Sequence, residues 1–127
     1  MEEANEHRLI AKSMDDRIGV AVLIETMKAL KSTPHEVAFV FSVQEEVGLR
    51  GAGTAAFGVE ADLGIAVDVT MTGDTPNGLK MAVELGGGPA IKVRDAGMLA
   101  DPRVRDLLVQ RAQEARLKYQ QIGRAHV

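Results

Sequence analysis

Four carboxylic acids lie where an apolar segment of this chain begins, ends or is interrupted: Asp15, Glu45, Glu46 and Asp68. Glu45 and Glu46 closely follow residues 37–43, whose length and apolar character predict a strand buried on both faces. In open α/β sheets, ligands bind beyond the carboxyl ends of the strands, so these two acids are aimed at a candidate site. The alternative is that both glutamates simply begin a solvated loop, because most Glu residues lie on the surface.

Asp68 and Asp15 extend this set of acids to two further elements. Asp68 interrupts the apolar segment GIAVDV, where an unpaired carboxylate is costly to bury, so the pattern predicts a partner or a metal ion. Asp15 opens a predicted helix, where it or Asp16 could instead be a plain N-cap. Carboxylates from three elements repel one another at one site, and Zn²⁺, Mn²⁺ or Co²⁺ would remove that repulsion. Histidine usually completes a catalytic zinc site.

The elements that must position these acids alternate between strands and helices, which predicts a three-layer α/β sheet domain. Residues 1–7 are expected to fray, and residues 8–13 to form an edge or entry strand. A helix is predicted from Met14 to Leu30, with Gly19 allowing the close approach of another backbone. The Gly- and Ala-rich residues 48–58 predict a short helix packed on the sheet, because their spacing fits no phosphate or dinucleotide motif.

Further strands and one amphipathic helix are predicted in the second half of the chain. Residues 62–70 predict a second buried strand, and residues 79–83 and 89–93 predict two short ones. The glycines at 86–88 between them predict a loop that could let the backbone approach a ligand. Asp101 and Pro102 predict the start of the final helix, with the N-cap residue followed by proline at the first helical position.

Composition excludes several classes of function. A net charge of −3 gives no reason to expect nucleic acid or an acidic membrane as partner, and no apolar run reaches the ~20 residues that cross a bilayer. The absence of Cys excludes disulfides and thiolate metal sites and favours the cytoplasm. No secretory signal is visible after Met1.

The segments KSMDDRIG, SVQEEVGLRGA and AVDVTMTGDTP occur in an order and spacing that carry a family resemblance. Together with GGGPAIKVRD they resemble the di-metal aminopeptidases of the glutamyl-aminopeptidase and tetrahedral-aminopeptidase family, metallopeptidase family forty-two. The resemblance runs from about Arg8 to Gln120. It implies a peptide substrate, an α/β/α fold with two metal ions, often zinc or cobalt, an inserted second domain, and a homo-oligomer that is often a dodecamer.

The resemblance also implies a role for each of the four acids. Asp15 matches the carboxylate that bridges both metals, Glu46 a ligand of one metal and Asp68 a ligand of the other. Glu45 matches the general base, which takes a proton from a water bridging the two metals and passes it to the leaving amine. Asp16 is given no metal.

The chain departs from the family pattern in its histidines and at its ends. The resemblance implies one His ligand per metal, but His7 and His35 stand in the wrong contexts and His126 lies in the tail. Residues 1–120 of the chain are therefore expected to be part of a catalytic domain. The domain is expected to be truncated at both ends and inactive. Residues 121–127, QIGRAHV, can be back-translated into a common short-read sequencing adapter, which predicts a non-native tail that contributes nothing to the fold.

Two other classes of function are open at this stage. A glycosidase using paired carboxylates without metal needs two acids about 5–9.5 Å apart, and usually aromatic platforms. The chain has no Trp and one Tyr, which disfavours this reading. An inert structural α/β fragment is the third possibility, and it predicts ordinary carboxylate pKa values and no effect of metal on stability.

Overall fold

The computed structural model of the chain describes residues 2–5, 8–74, 76–78 and 80–123. The chain divides into two compact units, residues 1–69 and residues 70–127. The first unit contains two strands followed by two helices, and the second contains a strand, a helix and a strand. This mixed content confirms the predicted α/β class, while the three-layer arrangement stays a prediction.

The first unit begins with a small antiparallel sheet and continues into two helices. Strand β1, Glu2–Asn5, pairs with strand β2, Arg8–Ile10, so the expected fraying is wrong for residues 2–5. Helix α1, Met14–Ala29, confirms the helix predicted there. Helix α2, Arg50–Val59, confirms the short helix in the Gly- and Ala-rich segment.

The two strands predicted to be buried in this unit are not formed. Within the described residues 8–69, segments 37–43 and 62–69 carry no strand pairing. Val43 is 68% exposed and Ile65 60% exposed, so their apolar side chains are not in a core. A strand requires a neighbour that takes up its N–H and C=O groups, and apolar pattern alone supplies none.

The second unit is built on a strand–helix–strand unit. Strand β3, Ala90–Lys92, pairs in parallel with strand β4, Gln120–Ile122, and helix α3, Pro102–Glu114, connects them. The N–H of Val93 donates to the Ile122 carbonyl at 2.7 Å and prolongs the ladder. The predicted helix start is confirmed, because Asp101 Oδ1 accepts from the Arg103 N–H at 2.8 Å.

A small apolar core lies in this second unit. Its buried members are Val83, Ile91, Ala112 and Ile122, contributed by a loop, two strands and a helix. Ile122 is only 4% exposed. The expectation that residues 121–127 contribute nothing to the fold is therefore wrong for the first two of them, because both pair with strand β3 and Ile122 is buried. The non-native origin of this tail stays a prediction, and residues 124–127 lie outside the described part.

The glycine loop at 86–88 is packed against the chain itself. The Gln120 side chain accepts from the Glu84 N–H at 2.8 Å and donates to the carbonyls of Glu84 and Gly88 at 3.0 and 3.1 Å. A side chain at Gly87 would overlap Gln120, and one at Gly88 would overlap the Lys118 carbonyl. The close approach that these glycines permit is thus made by the protein's own residues, where the sequence suggested a ligand.

Two further expectations concern the second unit and the membrane. In the predicted strand at 79–83, Leu79 lies outside the described residues, and residues 80–83 form no strand. Among the helices that the structure describes, none combines the length and apolar character needed to cross a bilayer.

Candidate functional site

The first predicted site residue, Asp15, lies at the irregular start of helix α1. Asp15 (φ −84°, ψ 107°) and Asp16 (φ −116°, ψ 46°) are not helical, and the peptide bond between them is cis. The Asp15 side chain is exposed, whereas Asp16 is partly buried and its Oδ1 accepts from the Gly19 N–H at 2.9 Å. The two neighbouring aspartates therefore occupy different environments.

Glu45 and Glu46 lie in a tight turn between the extended segment and helix α2. The Glu45 carbonyl accepts from the N–H groups of Gly48 and Leu49 at 3.1 and 2.9 Å. Gly48 has a φ of 114°, a conformation that L side chains rarely adopt, so glycine is required there. Both glutamate side chains are exposed, and neither forms a hydrogen bond within the described residues.

Gly51 closes this turn from the helix side. Its N–H donates to the Val43 carbonyl at 3.0 Å. A Cβ added at Gly51 would lie 2.5 Å from the Val43 nitrogen and 2.6 Å from its oxygen, a distance that real Cβ atoms essentially never show. The absence of a side chain at Gly51 therefore sets how closely the glutamate turn approaches helix α2.

Asp68 is exposed, in contrast to the buried position that the sequence predicted. Its Oδ1 accepts from the backbone N–H of Val69 at 2.7 Å. With no strand pairing around it, the cost of burying an unpaired carboxylate does not arise at this position. Its need for a partner must be argued from its charged neighbours.

Electrostatics link the four predicted acids, all of which lie in the first unit. Partial desolvation raises the pKa of Glu45, and the negative charges of Glu46, Asp68, Asp15 and Asp16 raise it further. Desolvation likewise raises the pKa of Asp16, against the Gly19 hydrogen bond that lowers it, and the charges of Asp68 and Asp15 add to the rise. In the described part of the chain, none of these acids forms an ion pair. The arrangement is thus a cluster of repelling carboxylates without a cation of its own.

The donor chemistry suits a hard divalent cation, but the ligand set is incomplete. Among the described residues, no three His, Cys, Asp or Glu side chains are arranged to hold a metal ion. His35 is exposed in another loop, and His7 and His126 lie outside the described residues. Carboxylate oxygens are ligands that hard divalent cations accept, and a catalytic zinc site usually also has histidine.

The structure adds two glycines that the sequence had interpreted differently. Gly19 was expected to admit another backbone, but the group that approaches it is the Asp16 carboxylate. Gly51 was interpreted as a small residue packing a helix on a sheet, but it admits the backbone of Val43. The signal for both was their position, three residues after an aspartate and five after a glutamate, within the two acidic segments.

Comparisons with known proteins relate this chain to one family. The M42 glutamyl aminopeptidase family matches residues 1–126. A putative aminopeptidase of Acetivibrio thermocellus is 54% identical over 112 residues, covering 88% of this chain and 34% of that protein. The lysyl aminopeptidase of Pyrococcus furiosus is 39% identical over 116 residues, covering 91% of this chain and 32% of that protein.

A solved structure gives the same result. The TET aminopeptidase of a marine sediment thaumarchaeon superimposes with a TM-score of 0.78 at 31% identity, over 91% of this chain and 35% of that one. The chain therefore spans about a third of the length of the relatives it matches. The match across nearly all of its residues shows that the chain belongs to the M42 glutamyl aminopeptidase family.

Proposed function

We propose that this chain is part of the catalytic domain of a metal-dependent aminopeptidase, which removes N-terminal residues from peptides. The observation that supports this most directly is the match of residues 1–126 to the M42 glutamyl aminopeptidase family, and beside it stands the cluster of carboxylates whose charges raise the pKa of Glu45. Such a cluster is unfavourable on its own, and perturbed carboxylates of this kind are typical of functional sites. Because the chain belongs to a family of aminopeptidases, we propose peptide hydrolysis as the reaction and do not favour the glycosidase alternative.

Each acid has a proposed role in the reaction. Asp15, Glu46 and Asp68 would hold two divalent metal ions, zinc or cobalt, and Asp15 would serve both. When bound, the metals supply Lewis acidity and lower the pKa of a water molecule. Glu45 remains free of metal, accepts a proton from the attacking water on its carboxylate, and donates it to the amine that leaves.

Substrate and assembly are proposed from the relatives. Their names include glutamyl and lysyl aminopeptidases, so the substrate proposed here is a peptide with a free N-terminus, without a choice of residue. The TET neighbour suggests a homo-oligomer, which we propose to be a dodecamer in the cytoplasm. The catalytic domain is proposed to be a three-layer α/β/α sandwich, to which segments 37–43 and 62–69 contribute strands once they have neighbours.

The 127-residue chain by itself is proposed to be inactive. Each metal has Asp15 and one further carboxylate from this chain, whereas a catalytic zinc normally has three protein ligands and a water. The two His ligands of the family pattern are absent from the described site. With less metal binding to offset it, the repulsion among the acids weakens the affinity for both ions.

The test compares this chain with a version extended at both ends to the length of its relatives, called here the full-length protein. Calorimetry with Zn²⁺ or Co²⁺ and an aminopeptidase assay are run on both, with and without a chelator. We expect two tight metals and chelator-sensitive hydrolysis in the full-length protein, and weak binding without turnover in the chain alone. Tight binding of two metals by the chain would refute the proposal that its site is incomplete. Hydrolysis that survives chelation would refute the metal-dependent mechanism.

A further inference from the structure

Asp16 is the one acid of the cluster for which the proposed function has no role. Its carboxylate is also the one whose position is set by the backbone of helix α1. Oδ1 accepts from the Gly19 N–H at 2.9 Å, which is the bond that an N-cap side chain makes to the third residue of a helix. Ser13, which formally precedes the helix, makes no side-chain cap bond. Regular helix therefore begins after Asp16, with Asp16 as its N-cap residue.

Gly19 provides the space for this cap. It is the one buried residue of helix α1, and a Cβ added there would lie 2.6 Å from Asp16 Oδ1 and 2.7 Å from its Cγ. The side chain of any other residue would force the carboxylate away from the N–H that it accepts. Glycine in a helix interior costs about 1 kcal/mol relative to alanine. Gly19 therefore lowers the stability of the helix but leaves space for the Asp16 carboxylate.

The cap decides how the preceding residue leaves the helix. Asp15 has an extended backbone and an exposed carboxylate that accepts no hydrogen bond from the described residues. Ser13 makes no side-chain cap bond, so without the Asp16 cap neither side chain holds the start of the helix, and the direction in which Asp15 leaves it is no longer fixed.

We propose that Asp16 is a positioning residue: capped onto the Gly19 N–H, it holds Asp15 outside helix α1 as a free metal-binding carboxylate. This inference rests on the proposed function for the role of Asp15, but not for the cap itself. The chemistry required of Asp16 is a hydrogen-bond acceptor, and its negative charge is not required. Asparagine offers the same acceptor and is an equally good N-cap residue, whereas alanine offers none.

The first experiment uses metal affinity and kinetics in the full-length protein. We compare Asp16→Asn, Asp16→Ala and Gly19→Ala, with Gly53→Ala as the matched control, because Gly53 is also helical but has no atom within 4 Å of an added Cβ. We expect Asp16→Ala and Gly19→Ala to weaken metal affinity about 10–100-fold, as changes to groups that orient a ligand do. Asp16→Asn should restore the affinity to within about threefold of wild type, and the control should bind like wild type. Equal losses in the Asn and Ala variants would overturn the proposal, because charge or ligation by Asp16 would then be what matters.

The second experiment needs no metal and uses the 127-residue chain. Amide hydrogen exchange of Gly19 and the Cα chemical shift of Asp15 are measured by NMR. We expect protection of Gly19 in wild type and Asp16→Asn, loss of protection in Asp16→Ala, and a changed Cα chemical shift of Asp15 in that variant. An unchanged Gly19 exchange rate and an unchanged Asp15 chemical shift in Asp16→Ala would show that Asp16 does not cap the helix. If the cap is confirmed while wild-type full-length protein binds no metal, the proposed function fails and the role of Asp16 in presenting Asp15 fails with it.

Discussion

The acids of the candidate site, in the first unit, and the surface acids of the second unit have opposite electrostatic surroundings. In residues 1–69, the acids of the candidate site lie near one another, and the pKa values of Glu45 and Asp16 are raised. In residues 70–127, acids lie beside donors: Asp95 with Lys92 at 3.2 Å, and Asp101 with Arg103 at 2.7 Å. Hydrogen bonds from the Gly97 N–H and the Lys92 side chain lower the pKa of Asp95, and hydrogen bonds from Arg103 lower that of Asp101. These surface acids are stabilised by their donors, as Glu25 is by Lys28 in the first unit, whereas Glu45 and Asp16 of the candidate site are destabilised by desolvation and by neighbouring negative charges.

The units also differ in what holds their residues in place. The second unit has a core of four buried apolar residues, and burial determines where its strands and helix lie. In the first unit, the described residues place no large side chain in a core, and Phe57 is 89% exposed. Its acids are placed by backbone hydrogen bonds and by the room at Gly19 and Gly51. Positioning by backbone and packing by burial can therefore be disturbed separately, which the following variants use.

The largest effect is expected at Glu45, the proposed base. In the full-length protein, Glu45→Gln should retain both metals and lower the rate of peptide hydrolysis about 10²–10⁴-fold, because general acid–base catalysis contributes that much. Glu46→Gln is the matched change at the neighbouring residue and should instead lose a metal. Calorimetry and steady-state kinetics on both variants separate the roles. Loss of a metal from Glu45→Gln would show that the two glutamates have exchanged roles.

The next effect tests the packing of the second unit. Ile122→Ala should lower the free energy of unfolding of that unit by about 2–5 kcal/mol, as truncation of a buried Ile does. Ile65→Ala in the first unit is the control, because Ile65 is 60% exposed and loses little contact. Urea titration monitored by circular dichroism measures both. A chain ending at Gln120 should likewise melt at a lower temperature, and equal melting would mean that Ile122 does not pack.

A smaller effect is expected at the glutamate turn. Gly51→Ala places a Cβ against the backbone of Val43 and should destabilise the first unit by about 1–3 kcal/mol, the usual cost of overpacking. Gly53→Ala in the same helix meets no atom within 4 Å and should stabilise it by about 0.5–1 kcal/mol. Thermal unfolding of both variants measures the difference. If both alanine variants changed the stability in the same direction, Gly51 would not set the position of the turn.

The smallest effect concerns the pH dependence of the second unit. Hydrogen bonds from the Arg103 side chain and backbone lower the pKa of Asp101 to about 2. A carboxylate with a lowered folded-state pKa stabilises the fold above its unfolded pKa, about 3.9, and this contribution is lost as pH falls toward 2. Between pH 5 and 2, wild type should therefore lose more stability than Asp101→Asn, which keeps an N-cap side chain. Parallel pH profiles of the two proteins would argue against the ion pair with Arg103.

The helices were predictable because their signals are local. Pro102 and Asp101 marked the start of α3, and the apolar periodicity after Met14 marked α1. The strands were less so: residues 90–92 pair, while the more apolar residues 37–43 do not, because pairing depends on a neighbour that pattern does not reveal. Among the site residues, the acids could be named from the sequence, but Asp68 was expected to be buried and is exposed.

The sequence by itself determined the family of the chain and which residues are candidates for its chemistry, because residue types and their spacing are properties of the chain alone. It could not show which of the two aspartates caps the helix, because Asp15 and Asp16 are identical side chains in adjacent positions. Only the tertiary structure separated them, because the Gly19 N–H engages one carboxylate and leaves the other exposed. Nor could the sequence show that Ile122 is buried, since burial requires a parallel partner about thirty residues away, which only the fold brings alongside.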